Sequence, residues 1–91
     1  MAHSVSLNWT ASTDAVDGYN IYRGTAAGQE TTKINASPVT GTSLVDASPL
    51  LGNDFYVARA VKNGVESINS NEVNAVILPA APTALVISAQ S

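Results

Sequence analysis

The sequence predicts an all-β sandwich of two antiparallel sheets, and three observations predict it. Residues 4–10 alternate strictly, with polar residues separating Val5, Leu7 and Trp9, so the apolar side chains share one face of a strand. Similar short stretches recur at intervals of about 8–12 residues, with turn-forming residues between them. No apolar pattern keeps a helical period for three turns. Strands with one polar face belong to antiparallel sheets that cover a core.

Length and composition restrict the class of protein. The chain has 91 residues, 45% of them hydrophobic and 12% charged, which is typical of one compact folded domain. Its 4 basic residues are not clustered and are outnumbered by 7 acidic ones, so no nucleic acid partner is predicted. No stretch approaches the roughly 18 apolar residues of a membrane span, so no membrane partner is predicted either. The absence of cysteine excludes a disulfide framework and a thiolate metal site.

The other strands follow the first in order along the chain. They are predicted over residues 18–23, 31–35, 42–46, 54–62 and 65–78. Asn63 and Gly64 form the strongest hairpin signal, because a type I′ turn requires positive φ at both positions. Trp9 carries the largest apolar surface and is expected at the centre of the core. The predicted core consists of Val5, Leu7, Trp9, Tyr19, Ile21, Ile34, Leu44, Tyr56 and Val73.

Taken in order, these stretches resemble a fibronectin type III domain, especially the bacterial extracellular type. Residues 4–10 are similar to strand B with its core tryptophan, and residues 18–25, GYNIYRGT, are similar to strand C. Residues 55–61, FYVARAV, resemble strand F, and residues 66–75, ESINSNEVNA, resemble the start of strand G. The resemblance implies an immunoglobulin-like β-sandwich of two antiparallel sheets.

The sequence departs from the family pattern at the start of strand F. Members usually carry a tyrosine corner there, in which a phenolic hydroxyl bonds back to the backbone. If Tyr56, Ala58 and Ala60 face the core, the corner position falls on Asp54. The corner is therefore expected to be missing or replaced.

A second departure concerns strand A, which in the family follows a proline and precedes strand B. No such strand precedes strand B here, whereas residues 79–91, PAAPTALVISAQS, resemble the start of a domain. In that segment Pro82 is followed by Leu85 and Ile87 in alternation. We therefore expect residues 1–78 to form a sandwich that lacks an N-terminal strand A. Residues 79–91 are expected to form a proline-containing linker and a strand-A-like tail.

The tail is predicted to occupy the strand-A position of a neighbouring copy. Strands A and G run in the same direction in this fold, so the link after strand G would have to recross the domain. A link of about six residues reaches at most about 20 Å. In the predicted exchange Pro82, Leu85 and Ile87 of one copy lie against Val5 and Leu7 of another. The alternative is a monomer with a disordered tail.

No constellation of residues indicates catalysis or the binding of a metal or cofactor. His3 is the only histidine and lies near the terminus. A metal site needs several ligands at fixed geometry, and a catalytic triad needs an imidazole held in place by other side chains. Asp14 and Asp17 flank a loop, but Ca²⁺ needs about six to eight oxygen ligands. Two carboxylates on a turn usually stabilise the turn. The sequence therefore predicts no enzyme, no cofactor and no metal.

The resemblance implies a non-catalytic function. Modules of this type act as spacers or interaction units, which predicts an extracellular or cell-surface location. The partners implied are neighbouring modules of a larger or tandem-repeat protein and, through strand exchange, a second copy of the chain. The alternative is a monomeric accessory module of a secreted polysaccharide-degrading enzyme. A further candidate is an apolar binding patch of Tyr22, Phe55 and Val57 on the outer face of one sheet.

Overall fold

The computed structural model describes residues 3–90 as seven β-strands in two antiparallel sheets. The strands are β1 (Val5–Asn8), β2 (Gly18–Gly24), β3 (Thr32–Lys33), β4 (Ser43–Asp46), β5 (Gly52–Lys62), β6 (Val65–Glu66) and β7 (Val73–Ile77). β1 pairs with β4 in a two-stranded sheet. The second sheet has the order β3-β2-β5, and both β6 and β7 pair with the far side of β5. The predicted all-β sandwich is confirmed.

The core lies between the sheets and is centred on Tyr19, Ile21 and Tyr56. The ring of Trp9 packs edge-on against that of Tyr19, with 5.5 Å between the ring centroids. Other half-buried apolar residues of the predicted core surround them, namely Val5, Leu7, Ile34 and Leu44. Val73 was predicted in the core, but it is 44% exposed. The prediction for Val73 is wrong because this residue borders an uncovered side of the sandwich, which is described below.

The predicted last strand is interrupted by residues 67–72. The Ser67 hydroxyl accepts a hydrogen bond from the Ala60 N–H at 2.9 Å, and the Ser67 N–H donates to the Ala60 carbonyl at 2.8 Å. Ser70 makes the same two contacts with Ala58, at 2.9 and 2.8 Å. Short hydroxyl side chains readily satisfy nearby backbone groups in this way. Serine side chains thus continue the hydrogen bonding of β5 where no regular strand pairs with it.

The pairings determine which strand ends lie together. Gly52, at the start of β5, pairs with Ile77, at the end of β7. The end of antiparallel β2 also lies near the start of β5, and Arg23 there contacts Asp46. Asp46 in turn pairs with Val5, the first residue of β1. β1 therefore begins at the same pole of the sandwich where β7 ends. We call this the start pole, and the opposite one, where β1 ends, the end pole.

An aspartate replaces the tyrosine corner. Asp54 is 0% exposed, and its Oδ1 accepts a hydrogen bond at 3.2 Å from the N–H of Leu50. This contact closes the same short loop that a tyrosine hydroxyl closes in the corner motif. The sequence left open whether the corner is missing or replaced, and Asp54 replaces it with a buried carboxylate.

A buried polar network joins the two sheets at the start pole. Asp46 Oδ2, on β4, accepts hydrogen bonds from the Tyr56 hydroxyl and the Arg23 guanidinium, each at 2.7 Å. Burial alone would raise the pKa of Asp46, but the hydrogen bonds from Tyr56, Arg23 and a backbone N–H outweigh it and lower that pKa. Burial and the Asp46 carboxylate raise the pKa of Tyr56. We call these three residues the polar clamp, because Tyr56 and Arg23 belong to the opposite sheet.

The hairpin between β5 and β6 has the predicted turn. Asn63 has φ of 51° and Gly64 has φ of 78°, so both residues adopt the positive φ of a type I′ turn. A Cβ at Gly64 would meet no atom within 4 Å. Any effect of a substitution at this position therefore comes from the backbone conformation and not from a clash.

Gly64→Val is expected to lower the free energy of unfolding by about 1–2 kcal/mol, because a β-branched residue is disfavoured at positive φ. Gly41 is the matched control, since it also has open space around it and its φ does not lie in the positive region. Gly41→Val should change stability by less than about 0.5 kcal/mol. Urea unfolding of the three proteins measures both effects, and equal midpoints for all three would contradict the assigned turn.

Tyr56→Phe is expected to cost about 1.5–3 kcal/mol near neutral pH, because it removes a hydrogen bond to a buried carboxylate. The pKa of Asp46 in the folded state lies below the usual 3.8, so the stability that its ionised carboxylate contributes is complete above pH 3.8. This stability is lost as the pH falls through the lowered pKa. The cost of Tyr56→Phe should therefore shrink in acid. It is measured by urea unfolding at about pH 7 and about pH 2.5.

Tyr19→Phe is the control for this pH dependence. The Tyr19 hydroxyl accepts a hydrogen bond from the Ser12 N–H at 2.8 Å, a partner that does not titrate. The stability lost in Tyr19→Phe should not depend on pH in the way expected for Tyr56→Phe. If the costs of the two variants change equally between neutral and acid conditions, the polar clamp does not depend on the charge of Asp46.

Candidate functional site

The outer edge of β1 presents unpaired backbone groups. The Trp9 N–H donates to the Thr42 carbonyl at 3.0 Å, and residues alternate along an antiparallel ladder between facing the partner strand and facing away. The N–H and C=O groups of Ser6 and Asn8 therefore point away from β4. Within residues 3–90, β4 is the only strand that pairs with β1. We call this row of groups the β1 edge, and such an edge is a template for another strand.

Beside the β1 edge, a groove of about 340 Å³ leads into the core. Leu7 and Trp9 line one side of it and Val73 of β7 lines the other. Ile21 and Tyr56 also line the groove, although they are only 2% and 1% exposed and belong to the centre of the core. The sandwich is therefore uncovered between β1 and β7, which explains the exposure of Val73.

The uncovered side continues toward the end pole. A second cavity of about 190 Å³ is lined by Trp9, Ser12 and Ser67, among others. A third, of about 500 Å³, shares Ser12 and Ser67 and extends to Val16 and Val65. Because neighbouring cavities share lining residues, they form one channel along the flank of the sandwich. We use the name groove for the part next to the β1 edge.

Trp9 carries a polar group that lacks a partner. Its indole Nε1 is buried and has no hydrogen-bond partner among the described residues. A buried donor without an acceptor costs about 1–3 kcal/mol, so indole N–H groups in folded proteins are normally paired. Trp9 lines the groove and the adjoining cavity. The uncovered flank thus includes an unsatisfied hydrogen-bond donor next to the apolar side chains that line the groove.

The C-terminal segment does not occupy this groove in its own chain. Residues 79–90 form no strand and are exposed throughout, with Leu85 94% and Ile87 77% exposed. The radius of gyration is 17.8 Å, against about 12 Å for a compact chain of this length. The structure therefore does not bring Pro82, Leu85 and Ile87 together with Val5 and Leu7 within one chain, and Ser91 lies outside the described residues. Exchange between copies stays a prediction.

The predicted apolar patch on the outer face is only partly exposed, and Phe55 is half-buried. Val57 is only 4% exposed, so its assignment to an exposed patch is wrong. The Arg59 guanidinium lies over the ring of Tyr22 at 4.3 Å from the ring centroid, and the Tyr22 hydroxyl donates to Glu66 at 2.5 Å. Hydrogen bonds from Tyr22, Asn20 and Arg59 lower the pKa of Glu66 to about 2. This face carries a satisfied polar network, in which long side chains cover the apolar strand surface.

The candidate loop carboxylates have structural contacts. Asp17 Oδ2 accepts a hydrogen bond from the Asn63 N–H at 2.8 Å, and Asp17 Oδ1 lies 3.7 Å from the Lys62 ammonium. Asp17 therefore ties its loop to the β5–β6 hairpin. The Asp14 N–H donates to the Ser12 hydroxyl at 3.1 Å, which stabilises a local turn. Within residues 3–90, no three His, Cys, Asp or Glu side chains are placed to hold a metal ion.

Sequence reasoning missed a pair of carboxylates, Glu30 and Glu72. Glu30 is 6% exposed and its Oε2 has no partner among the described residues, while Glu72 Oε2 accepts a hydrogen bond from the Gly28 N–H at 2.8 Å. The adjacent Glu72 carboxylate, together with burial, raises the pKa of Glu30. The 41 intervening residues hide this proximity, and no local pattern marks Glu30 as buried.

No described segment is a helix long and apolar enough to cross a membrane.

Comparison with known proteins agrees with this architecture. No protein-family model and no curated protein matches the chain. Among solved structures, a fibronectin type III-like (Fn3-like) protein from Clostridium thermocellum is similar, with 32% identical residues and a TM-score of 0.70. The match covers 87% of this chain and 80% of that chain. With this identity over most of both chains, and with the sandwich described above, the chain belongs to the fibronectin type III-like family.

Proposed function

We propose that the protein is a non-catalytic interaction and spacer module of a secreted or cell-surface protein, and that it binds partners by accepting a β-strand along the β1 edge. The observation that carries this proposal is the unpaired β1 edge beside a groove that reaches the core. The family supports the extracellular and non-catalytic assignment by analogy, since fold alone does not define function.

Strand addition suits the chemistry of this flank. Backbone groups of Ser6 and Asn8 supply hydrogen bonds, each worth about 0.5–1.5 kcal/mol net. Alternate side chains of an added strand would enter the groove, and burying one Leu or Ile contributes about 1.5–3 kcal/mol. In this mode of recognition the main chain provides affinity and the side-chain pockets provide specificity. The groove beside Leu7 and Trp9 therefore selects an extended segment with apolar residues at every second position.

The accepted strand is antiparallel to β1. Parallel pairing is slightly weaker per residue, and the partner that β1 already has, β4, is antiparallel. An antiparallel strand enters at the end pole and finishes at the start pole. The partner must therefore present its segment at the end pole of this module.

The test uses Trp9, the only tryptophan, as a reporter of the groove. The dilute chain is titrated with a soluble peptide of alternating Val and Thr flanked by lysines. Covering the indole should shift its fluorescence to shorter wavelength in a saturable manner. Ser6→Pro should abolish the shift, because proline removes an N–H of the β1 edge and is tolerated on edge strands. Ser6→Ala, which keeps that N–H, should behave like the parent.

The outcome separates edge pairing from nonspecific adsorption. The Ser6 side chain is exposed, so neither substitution removes a core contact. Circular dichroism of both variants checks that the sandwich is retained. A parent without any saturable shift, or a Ser6→Pro variant that responds like Ser6→Ala, would contradict strand addition at β1.

A further inference from the structure

We infer that the strand accepted at the β1 edge is residues 82–90 of a second copy of this chain. The inference rests on the proposed function, because it names the occupant of the groove. It is carried by two complementary features of one molecule, an unpaired strand edge beside an uncovered core and an exposed apolar segment that forms no strand.

The C-terminal segment has the composition of a strand without a partner. Leu85, Val86 and Ile87 are consecutive, and they are 94%, 76% and 77% exposed. Residues 79–90 contain no charged side chain, so no charge opposes pairing or insertion beneath a sheet edge. Branched apolar residues favour strands, and an uncharged exposed segment of this kind is prone to pair with another chain.

The topology prevents the segment from completing its own sandwich with antiparallel pairing. β7 ends at the start pole, whereas an antiparallel neighbour of β1 must enter at the end pole. The chain after Ile77 would first have to run back along the whole flank. In the structure it instead leaves the sandwich, so that the described chain measures 70 Å along its longest axis against 22 and 20 Å along the other two. A second copy avoids this crossing, because its start pole can lie next to the end pole of the first.

The segment and the groove match in length and pattern. Residues 83–90 span about 26 Å when extended, and residues 4–10 of the acceptor span about 23 Å. Leu85 and Ile87 lie two residues apart and share one face, so both enter the groove beside Leu7 and Trp9 while Val86 faces outward. Backbone carbonyls of the added strand also bring acceptors close to the unpaired Trp9 Nε1.

The resulting contact joins two different surfaces of the same molecule. One copy contributes its tail and the other its β1 edge, so the contact is heterologous. The Pro79–Pro82 link then acts as a short stiff spacer between two modules, since proline restricts the chain to extended conformations. Because every copy has one tail and one β1 edge, association proceeds to reciprocal dimers, rings or longer chains.

The experiment separates the two surfaces by substitution. Leu85→Asp/Ile87→Asp inactivates the tail and keeps the edge, whereas Ser6→Pro inactivates the edge and keeps the tail. Val86→Asp is the matched control, since it adds a charge to the same segment on the outward face. Sedimentation velocity over a concentration series should show association of the parent and of Val86→Asp. Each of the other two variants alone should stay monomeric.

Mixing the two inactive variants gives the decisive result. The intact tail of Ser6→Pro should enter the intact edge of Leu85→Asp/Ile87→Asp, which yields a 1:1 complex that cannot grow. A mixture that stays monomeric overturns the inference, and so does a parent that stays monomeric up to millimolar concentration.

The outcomes also distinguish this inference from the proposed function. If the tail variant still associates and Ser6→Pro does not, the β1 edge is used but the tail is not its occupant, so only the inference fails. If Ser6→Pro associates as strongly as the parent, association does not use the β1 edge and the inference fails, whereas the proposed function fails only if the peptide titration also gives no shift that depends on Ser6. Unfolding curves of each variant check that the sandwich is intact, which is expected for the tail variants because residues 79–90 are exposed and form no strand, and for Ser6→Pro because the Ser6 side chain is exposed on an edge strand.

Discussion

The arrangement of the two sheets depends on one constraint, which is that β1 has a hydrogen-bonded neighbour on one side only within residues 3–90. A two-stranded sheet is marginally stable by itself, so β1 and β4 must be held by packing against the five-stranded sheet. At the end pole the holding contact is apolar, between the rings of Trp9 and Tyr19. At the start pole it is the polar clamp around Asp46. Between them the flank beside β1 is uncovered, which leaves Val73 exposed and the Trp9 indole N–H without a partner among the described residues.

Side chains satisfy polar groups on the outer face of the large sheet and along β5. On the outer face of the large sheet, Glu66 accepts hydrogen bonds from Tyr22, Asn20 and Arg59. Along β5, Ser67 and Ser70 satisfy backbone N–H groups where no strand does. Among residues 3–90, no side chain is hydrogen-bonded to the backbone groups of the β1 edge in this way. The fold thus provides side-chain substitutes for missing strand pairing along β5 and provides none along the β1 edge.

Local patterns predicted the parts of the fold that local chemistry determines. The alternation around Trp9 gave β1 and its inward face, and the Asn63-Gly64 pair gave the turn with positive φ at both residues. The prediction for Val73 was wrong because burial there depends on a neighbouring strand that alternation along β7 does not report. The assignment of Val57 to an exposed patch was wrong for a similar reason, since exposure on an outer face depends on side chains from other strands. The open side of β1 was predicted only through the family resemblance, which expects a strand A beside it, because no pattern in β1 itself shows whether its second edge is paired.

Under the strand addition proposed above, the element that covers this flank is extended, enters at the end pole and carries apolar side chains at alternate positions. Amide hydrogen exchange tests this most directly, residue by residue. In the dilute monomer the Ser6 and Asn8 amides should exchange rapidly while the Trp9 amide, bonded to Thr42, is protected. When the concentration is raised until chains associate, Ser6 and Asn8 should become protected. Protection of Ser6 and Asn8 already in the dilute monomer, or no gain of protection on association, would contradict the account.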